Sequence, residues 1–340
     1  MDLASSHELS RIGRPPAVAW AAICGGYRLR MPYGGMSLMG LTRRELFVGP
    51  AAAVLAGGLG ASCGGALRRG RTALVAAGPP RPVPCGVDAV NVGSFEALTG
   101  TFAKYLRVYH GPHWPLPASL DDPPAVRHYL RGGRRVVISF SPPRDRPETE
   151  DLGRFGAWCA SAARAGFAPH IRATVYHEPV HKVASGPEFI RRYIAYQQVA
   201  FSYGIPFGVI HNAWPFAHGT ARLADWMPPA ARWDYLGIDV YAGDDPRGTW
   251  FDPVETIAPF TAWAAARGRP YGICEIGVDQ RLYGTAAAAA AARNWLGRFT
   301  GLDGGCRWLC YFDYGPWSLK RNAGALVPAF RSLHHQLQAR

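Results

Sequence analysis

Short runs of apolar and β-branched residues recur along the chain from residue 86 onward. Each run is bounded by Gly, Pro or Asp, which is how strands of a compact sheet usually begin and end. The runs span residues 86–93, 105–111, 135–143, 171–178, 206–214, 235–243, 271–277 and 307–315. The pattern therefore predicts eight short strands that are well separated along the chain.

Helical patterns lie between these runs. Three segments end at a glycine and have the length of ordinary helices, namely residues 149–165, 187–203 and 253–267. Asp252 precedes the third segment and is a candidate N-cap. An alanine run over residues 286–292 follows Thr285 and predicts a further helix, because alanine has the highest helix propensity.

Eight strands that alternate with helices over about 255 residues match the count and length of a (β/α)8 barrel. We therefore predict a single TIM barrel over residues 85–340. The competing fold is a doubly wound sheet, which often carries a glycine-rich phosphate loop after its first strand. Here the first strand is followed by "VGSFEALTG", which is not such a loop.

The first 84 residues differ from the rest. Residues 39–63 contain the twin arginine Arg43-Arg44, then a short apolar stretch that ends in small side chains. This resembles a twin-arginine (Tat) export signal, with residues 1–38 as a leader outside the fold and residues 64–84 as a linker. Cys63 lies in "LGASC", which is similar to a lipidation site, with ordinary cleavage nearby as the alternative. The resemblance implies a secreted protein, or one anchored to the outer face of the cytoplasmic membrane.

The charge and cysteine patterns exclude several classes of partner. The net charge is +13, yet the arginines are scattered and form no long basic run, so we expect no nucleic-acid partner. The seven cysteines fit no zinc motif. We therefore expect no metal, no cofactor, a monomer, and membrane contact only through the signal or a lipid anchor.

Polar and aromatic residues are concentrated where the predicted strands end. In a TIM barrel these ends form one face, on which the chemistry lies. Glu178 ends the fourth strand and Glu275 the seventh, so the two carboxylates face each other across the mouth. Paired carboxylates are what glycosidic bond cleavage requires.

Three motifs carry a family resemblance: "HEP" after the fourth strand, "GIDVY" on the sixth and "CEIG" on the seventh. Their order and spacing resemble glycoside hydrolase family 26, a family of β-mannanases and related endo-β-glycanases in the retaining 4/7 superfamily. The resemblance covers residues 86–317. It implies a (β/α)8 glycosidase that acts on β-linked oligo- or polysaccharides of the mannan type or a related β-glycan.

The resemblance also implies roles for individual residues. Glu178 would be the general acid/base and Glu275 the nucleophile. The alternatives are a surface loop acid for Glu178 and a structural ion pair with an arginine for Glu275. Tyr241 would hold the nucleophile, and His177 would position the acid/base or a sugar hydroxyl. Trp317 and Trp214 would stack on sugar rings.

The strand ends provide further candidate substrate contacts, which are His110, His211, Asn212 and Asp239. For the two histidines and Asp239, a structural hydrogen-bonding role is the alternative.

Two competing functions remain at this stage. A catalytically inactive barrel that binds glycan, for example as a cell-surface lipoprotein, need not keep both glutamates. A metal-dependent hydrolase would need a His-x-His pattern on the first strand, and "GVDAVNVG" has none. The motifs are compatible with several sugars and linkages, and with both endo and exo cleavage.

Overall fold

The computed structural model describes residues 81–340, apart from residues 90, 113–114, 123, 144–146, 243–249 and 280–285. The predicted leader, the signal segment with Cys63 and nearly all of the linker lie outside the described residues, as does the candidate cap Thr285. No helix within the described residues is long and apolar enough to span a membrane.

The described residues form eight parallel strands in one sheet, in the order β4-β3-β2-β1-β8-β7-β6-β5. The strands β1 to β8 are Cys85–Ala89, Tyr105–His110, Arg135–Phe140, Ile171–Val175, Val209–Asn212, Leu236–Ala242, Tyr271–Val278 and Cys306–Asp313. Between β4 and β5, Ala173 forms a parallel bridge with Phe207, and Gly208 N donates to Ala173 O at 3.0 Å. The sheet therefore closes on itself, and the predicted (β/α)8 barrel is confirmed.

Helices alternate with the strands. The described helices α1 to α9 are Val92–Thr99, Pro124–Arg131, Glu148–Arg164, Gly186–Ser202, Trp214–Ala217, Leu223–Trp226, Pro253–Ala265, Ala286–Arg298 and Ala323–Gln338. The predicted cap of α7 is present, since the Asp252 carboxylate accepts from Val254 N at 2.9 Å. The first predicted strand was too long at its C-terminal end, because "VGSFEALT" forms α1 instead.

The interior of the barrel is filled by large side chains from several strands. One buried cluster consists of Tyr105, Val137, Ile210, Tyr235, Cys274, Trp308 and Cys310. Glycines make room for them, because a Cβ on Gly272 would overlap the Trp308 ring. The described cysteines are free and buried, as expected for small apolar side chains.

The outer core lies between the barrel and the helices. Phe140 of β3 packs edge-on against Phe155 and Trp158 of α3. Because successive side chains of a strand face opposite sides, each strand contributes alternately to this outer layer and to the barrel interior. This alternation decides which residues at a strand end can reach the mouth.

Candidate active site

An irregularity in β7 turns Glu275 into the barrel. Ile273 pairs with Ile238 of β6, but the next pair joins Glu275 to Asp239, so Cys274 is an extra residue in the strand. Cys274 already packs in the interior cluster. In a regular strand its successor would face the helices, whereas the bulge lets Glu275 face inward as well.

The Glu275 carboxylate is held by three side chains from two other strands. The hydroxyl of Tyr109 donates to Oε1, and the hydroxyl of Tyr241 donates to Oε2. Arg107 donates through Nε to Oε1 at 3.2 Å, and its Nη2 lies 3.2 Å from the same oxygen. Tyr109 and Arg107 come from β2, so these contacts reach across the barrel and fix the carboxylate from opposite sides.

Burial dominates the charge state of Glu275. The residue is 4 % exposed, and burial raises its pKa to about 7, although the Arg107 guanidinium opposes the shift. A neighbouring carboxyl on β1, Asp88, has its pKa raised well above the usual range by burial and by Glu275. Burial therefore favours the protonated form of Asp88, and a pKa of about 7 divides Glu275 between its two forms at neutral pH.

Glu178 lies in a strained turn directly after β4. Tyr176 and Glu178 have φ angles of 50° and 52°, and no other non-glycine residue of the described chain has a positive φ. Such backbone is costly for side chains other than Gly, Asn or Asp, and it occurs preferentially at functional sites. The turn is tied to β5, because Glu178 N donates to Ile210 O at 2.9 Å.

Two polar side chains hold the Glu178 carboxylate. Asn212 at the end of β5 donates through Nδ2 to Oε1 at 3.1 Å. Lys182, four residues after Glu178, places Nζ 3.7 Å from Oε2. The side chain of Glu178 is 23 % exposed, so it remains open to a ligand in the mouth.

His177 connects the two glutamates. Its Nε2 lies 2.7 Å from Lys182 Nζ, and its ring centroid lies 4.8 Å from that of Tyr109, which donates to Glu275. Burial and the positive charges of Lys182 and Arg107 hold the pKa of His177 well below its usual value. The lowered pKa favours the neutral ring, in which Nε2 can accept from the Lys182 ammonium while Nδ1 carries the proton. The two glutamates thus belong to one connected cluster.

Asp239 lies at the centre of this cluster. It is fully buried on β6, and it interacts electrostatically with both Arg107 and Lys182. Its position two residues before Tyr241 puts both side chains on the inner face of β6. Of the sequence candidates, the structure therefore brings together His177, Glu178, Asn212, Asp239, Tyr241 and Glu275.

Of the two sequence-predicted tryptophans, Trp317 packs its ring against the cluster. Tyr241 packs with Phe312 and Trp317, with centroid distances of 5.9 and 5.5 Å. Trp214 follows Asn212 at the start of α5, and its backbone N donates to Asn212 Oδ1 at 2.8 Å. The Trp214 ring stacks on His218 with centroids 4.5 Å apart. Trp214 therefore adjoins the cluster through its backbone.

Two predicted contacts lie elsewhere. His211 is fully buried, and its ring packs against Phe189, Phe216 and Phe260 between β5 and the helices. His110 lies beside Phe140, which packs on α3. The reason is strand alternation: each histidine is adjacent to an inward-facing residue and so faces outward. The burial of His211 corrects the expectation that it contacts substrate, while the outward direction of His110 makes such a contact less favourable.

Sequence reasoning missed Arg107, Tyr109, Lys182 and Asp88 as members of the site. Alternation along β2 was the available signal for two of them, because Tyr105, Arg107 and Tyr109 share its inner face. Lys182 had no signal beyond its position four residues after Glu178. Within the described residues, no group of three or more His, Cys, Asp or Glu side chains could hold a metal ion.

The fold is shared with solved glycoside hydrolases. No protein-family profile matches the chain, and no curated protein sequence matches it. An endo-β-1,4-glucanase from Xanthomonas axonopodis pv. citri matches at 12 % identity with a TM-score of 0.51, covering 76 % of this chain and 95 % of that one. A family 26 β-mannanase from Bacteroides ovatus matches at 12 % identity with a TM-score of 0.50, covering 75 % and 90 %. At this identity the similarity shows a common barrel fold.

Proposed function

We propose that this protein is a retaining glycoside hydrolase that cleaves β-linked polysaccharide with Glu178 as acid/base and Glu275 as nucleophile. One observation carries the proposal. Glu275 is buried and held by Arg107, Tyr109 and Tyr241, and it is connected through His177 and Lys182 to the more exposed Glu178. A buried, oriented carboxylate beside an accessible one is the arrangement that double displacement needs.

In the first step, ionised Glu275 attacks the anomeric carbon while Glu178 gives its proton to the leaving oxygen. The bond to the leaving sugar breaks, and a glycosyl ester forms on Glu275. The hydroxyls of Tyr109 and Tyr241 and the Arg107 guanidinium keep the carboxylate in one orientation and stabilise its ionised form.

In the second step, Glu178 acts as a base. It takes a proton from water, which attacks the anomeric carbon from the face that the leaving sugar has vacated, and the bond from that carbon to Glu275 breaks. The sugar is released with its original anomeric configuration, and Glu275 is again a carboxylate. Asn212 and Lys182 hold Glu178 in reach throughout.

The aromatic rings support a polysaccharide substrate. Aromatic faces suit the apolar C–H faces of pyranoses. The Trp317 ring packs on Tyr241, which donates to the proposed nucleophile, and Trp214 follows Asn212, which donates to the proposed acid/base. These tryptophans are the candidates for stacking on sugar rings. The structural relatives named above act on β-1,4-glucan or mannan, and these glycans are therefore the first candidates.

The test is a screen of the purified protein on mannan, xylan, mixed-linkage glucan and aryl β-glycosides. We expect turnover of at least one of these glycans, and its loss in Glu275→Gln and Glu178→Gln. A Phe201→Ala variant is the control, because Phe201 is exposed on α4 outside the site. Saturable glycan binding without any turnover would instead favour the inactive glycan-binding barrel.

We also propose that the protein acts outside the cytoplasm. The support is the sequence pattern around Arg43-Arg44 and the apolar stretch that follows it. Replacing both arginines with lysine should retain the protein in the cytoplasm, which fractionation with an antibody would detect. Export at an unchanged level would contradict the twin-arginine assignment. A Cys63→Ser variant that loses membrane association would support a lipid anchor.

A further inference from the structure

Lys182 occupies a position between the two halves of the site. The chain has three lysines, Lys104, Lys182 and Lys320, and Lys182 follows Glu178 by one helical turn. Its Nζ lies 3.7 Å from Glu178 Oε2 and 2.7 Å from His177 Nε2. One ammonium therefore touches both the proposed acid/base and the ring that leads to the proposed nucleophile.

The contact with His177 fixes the state of the imidazole. An ammonium can only donate, so Nε2 must accept and Nδ1 must carry the proton. The fixed ring packs on Tyr109, whose hydroxyl donates to Glu275. A change at Lys182 would therefore alter the surroundings of Tyr109, the side chain that orients the proposed nucleophile.

The contact with Glu178 matters when the proton leaves. As Glu178 protonates the leaving oxygen, negative charge develops on its carboxylate, and a cation 3.7 Å away stabilises that charge. Asn212 already donates to the other oxygen. Leaving groups that need protonation should depend on Lys182, whereas leaving groups that depart as stable anions should depend on it far less.

We propose that Lys182 is a positioning residue of the acid step, which stabilises the charge that develops on Glu178 and holds His177 as its Nδ1–H tautomer. The inference rests on the proposed function. Lys182 is faced by Glu178, Asp239, Arg107 and His177. Burial lowers the pKa of Lys182, and the negative charges of Glu178 and Asp239 oppose this shift, so these two residues favour the ammonium form.

The kinetic test compares Lys182→Met, Lys182→Arg and the wild type on an oligosaccharide and on a dinitrophenyl glycoside of the same sugar. On the oligosaccharide we expect Lys182→Met to lower kcat by about 10- to 100-fold with little change in KM. On the dinitrophenyl glycoside the loss should be a few-fold at most. Lys182→Arg should restore most of the activity, because it keeps the charge.

Lys104→Met is the matched control for these kinetics. It removes the same charge at an exposed lysine that donates to Gly133 O near the start of β3, away from the mouth, and it should leave kcat on both substrates unchanged.

A spectroscopic measurement separates this inference from the proposed function. Proton–nitrogen correlation spectra should show His177 protonated at Nδ1 and unprotonated at Nε2 around pH 7, and this signature should change in Lys182→Met but not in Lys104→Met. An unchanged signature, or equal losses on both substrates, would overturn the inference. If the wild type cleaves no glycoside, the proposed function fails, and the spectra alone then decide whether Lys182 fixes the ring.

Discussion

Glu275 combines a carboxylate that must ionise with surroundings that resist ionisation. Its pKa is raised to about 7 by burial, with Arg107 opposing the shift. The proposed nucleophile must be ionised to attack, so kcat/KM should fall on the acid side with an apparent pKa of about 7. Because Arg107 lowers the pKa, Arg107→Met should move this limb to higher pH. A pH–rate profile checks both statements.

The control for this prediction is Arg134→Met, which removes a guanidinium paired with Glu96 on the surface. It should leave the acid limb where it is. An acid limb that is unchanged in Arg107→Met, or one that moves to lower pH, would show that Glu275 is not the group that titrates.

The backbone of Glu178 stores strain. Its φ of 52° is unfavourable for any residue with a Cβ, by about 1 kcal/mol. We therefore expect Glu178→Gly to be more stable than Glu178→Ala by about 1 kcal/mol, since both variants lose the same carboxylate contacts. Urea unfolding of the two variants measures the difference.

Glu188 in the first turn of α4 provides the matched pair. There the backbone is helical, so Glu188→Ala should be more stable than Glu188→Gly, by up to about 1 kcal/mol. The same order at both positions would contradict a strained conformation at Glu178. Backbone strain at Glu178, the proposed acid/base, is consistent with a site whose geometry lowers the stability of the folded protein.

At the scale of the elements, the barrel strands need glycine where a neighbouring inward-facing side chain leaves no room for a Cβ. A Cβ on Gly272 would overlap the Trp308 ring inside the barrel. Gly272→Ala should therefore destabilise the protein by about 3 kcal/mol or prevent folding. Gly297→Ala on the exposed face of α8 meets no atom within 4 Å and should stabilise by up to about 1 kcal/mol. Thermal unfolding of both variants tests the contrast.

The elements also show how far sequence reasoning reaches. Strand count, helix positions and the cap at Asp252 follow from local patterns and turn residues, and the structure has them. The direction in which a side chain at a strand end points is harder to predict. Tyr109 and His110 are neighbours at one strand end, and only the first points into the mouth. The outcome depends on which alternate residues of the strand face the barrel interior, and a short sequence motif does not contain that information.

Other parts of the site depend on contacts between distant segments. Arg107 lies inside β2, where a charged residue normally indicates an exposed face, yet here it is buried against Glu275, which is 168 residues away. The bulge at Cys274 has no turn signal in "GICEIG". The positions of the two glutamates followed from the predicted strand ends, whereas their roles and the role of Tyr241 came from the family resemblance. Arg107, Tyr109 and Lys182 required the fold.

For the whole molecule, the raised pKa of Glu275 links the site to stability. The protonated form is favoured in the folded state, so this residue's contribution to stability declines as pH rises from its ordinary pKa of 4.5 through about 7. Glu275→Gln removes this dependence. Its stability relative to the wild type should increase by up to about 3 kcal/mol between pH 4.5 and 8. Urea unfolding at several pH values measures it, and a difference that does not change with pH would contradict the linkage.

In the proposed mechanism, the barrel holds two carboxylates on opposite sides of one sugar carbon. The most direct test of this arrangement is the configuration of the glycosyl azide formed from a dinitrophenyl β-glycoside in the presence of azide. In Glu275→Ala, azide should enter the vacated nucleophile side and give the α-azide. In Glu178→Ala, azide should attack the glycosyl ester from the opposite face and give the β-azide. The reverse assignment, or an absence of azide product from both variants while the wild type turns over, would contradict the roles given to Glu178 and Glu275.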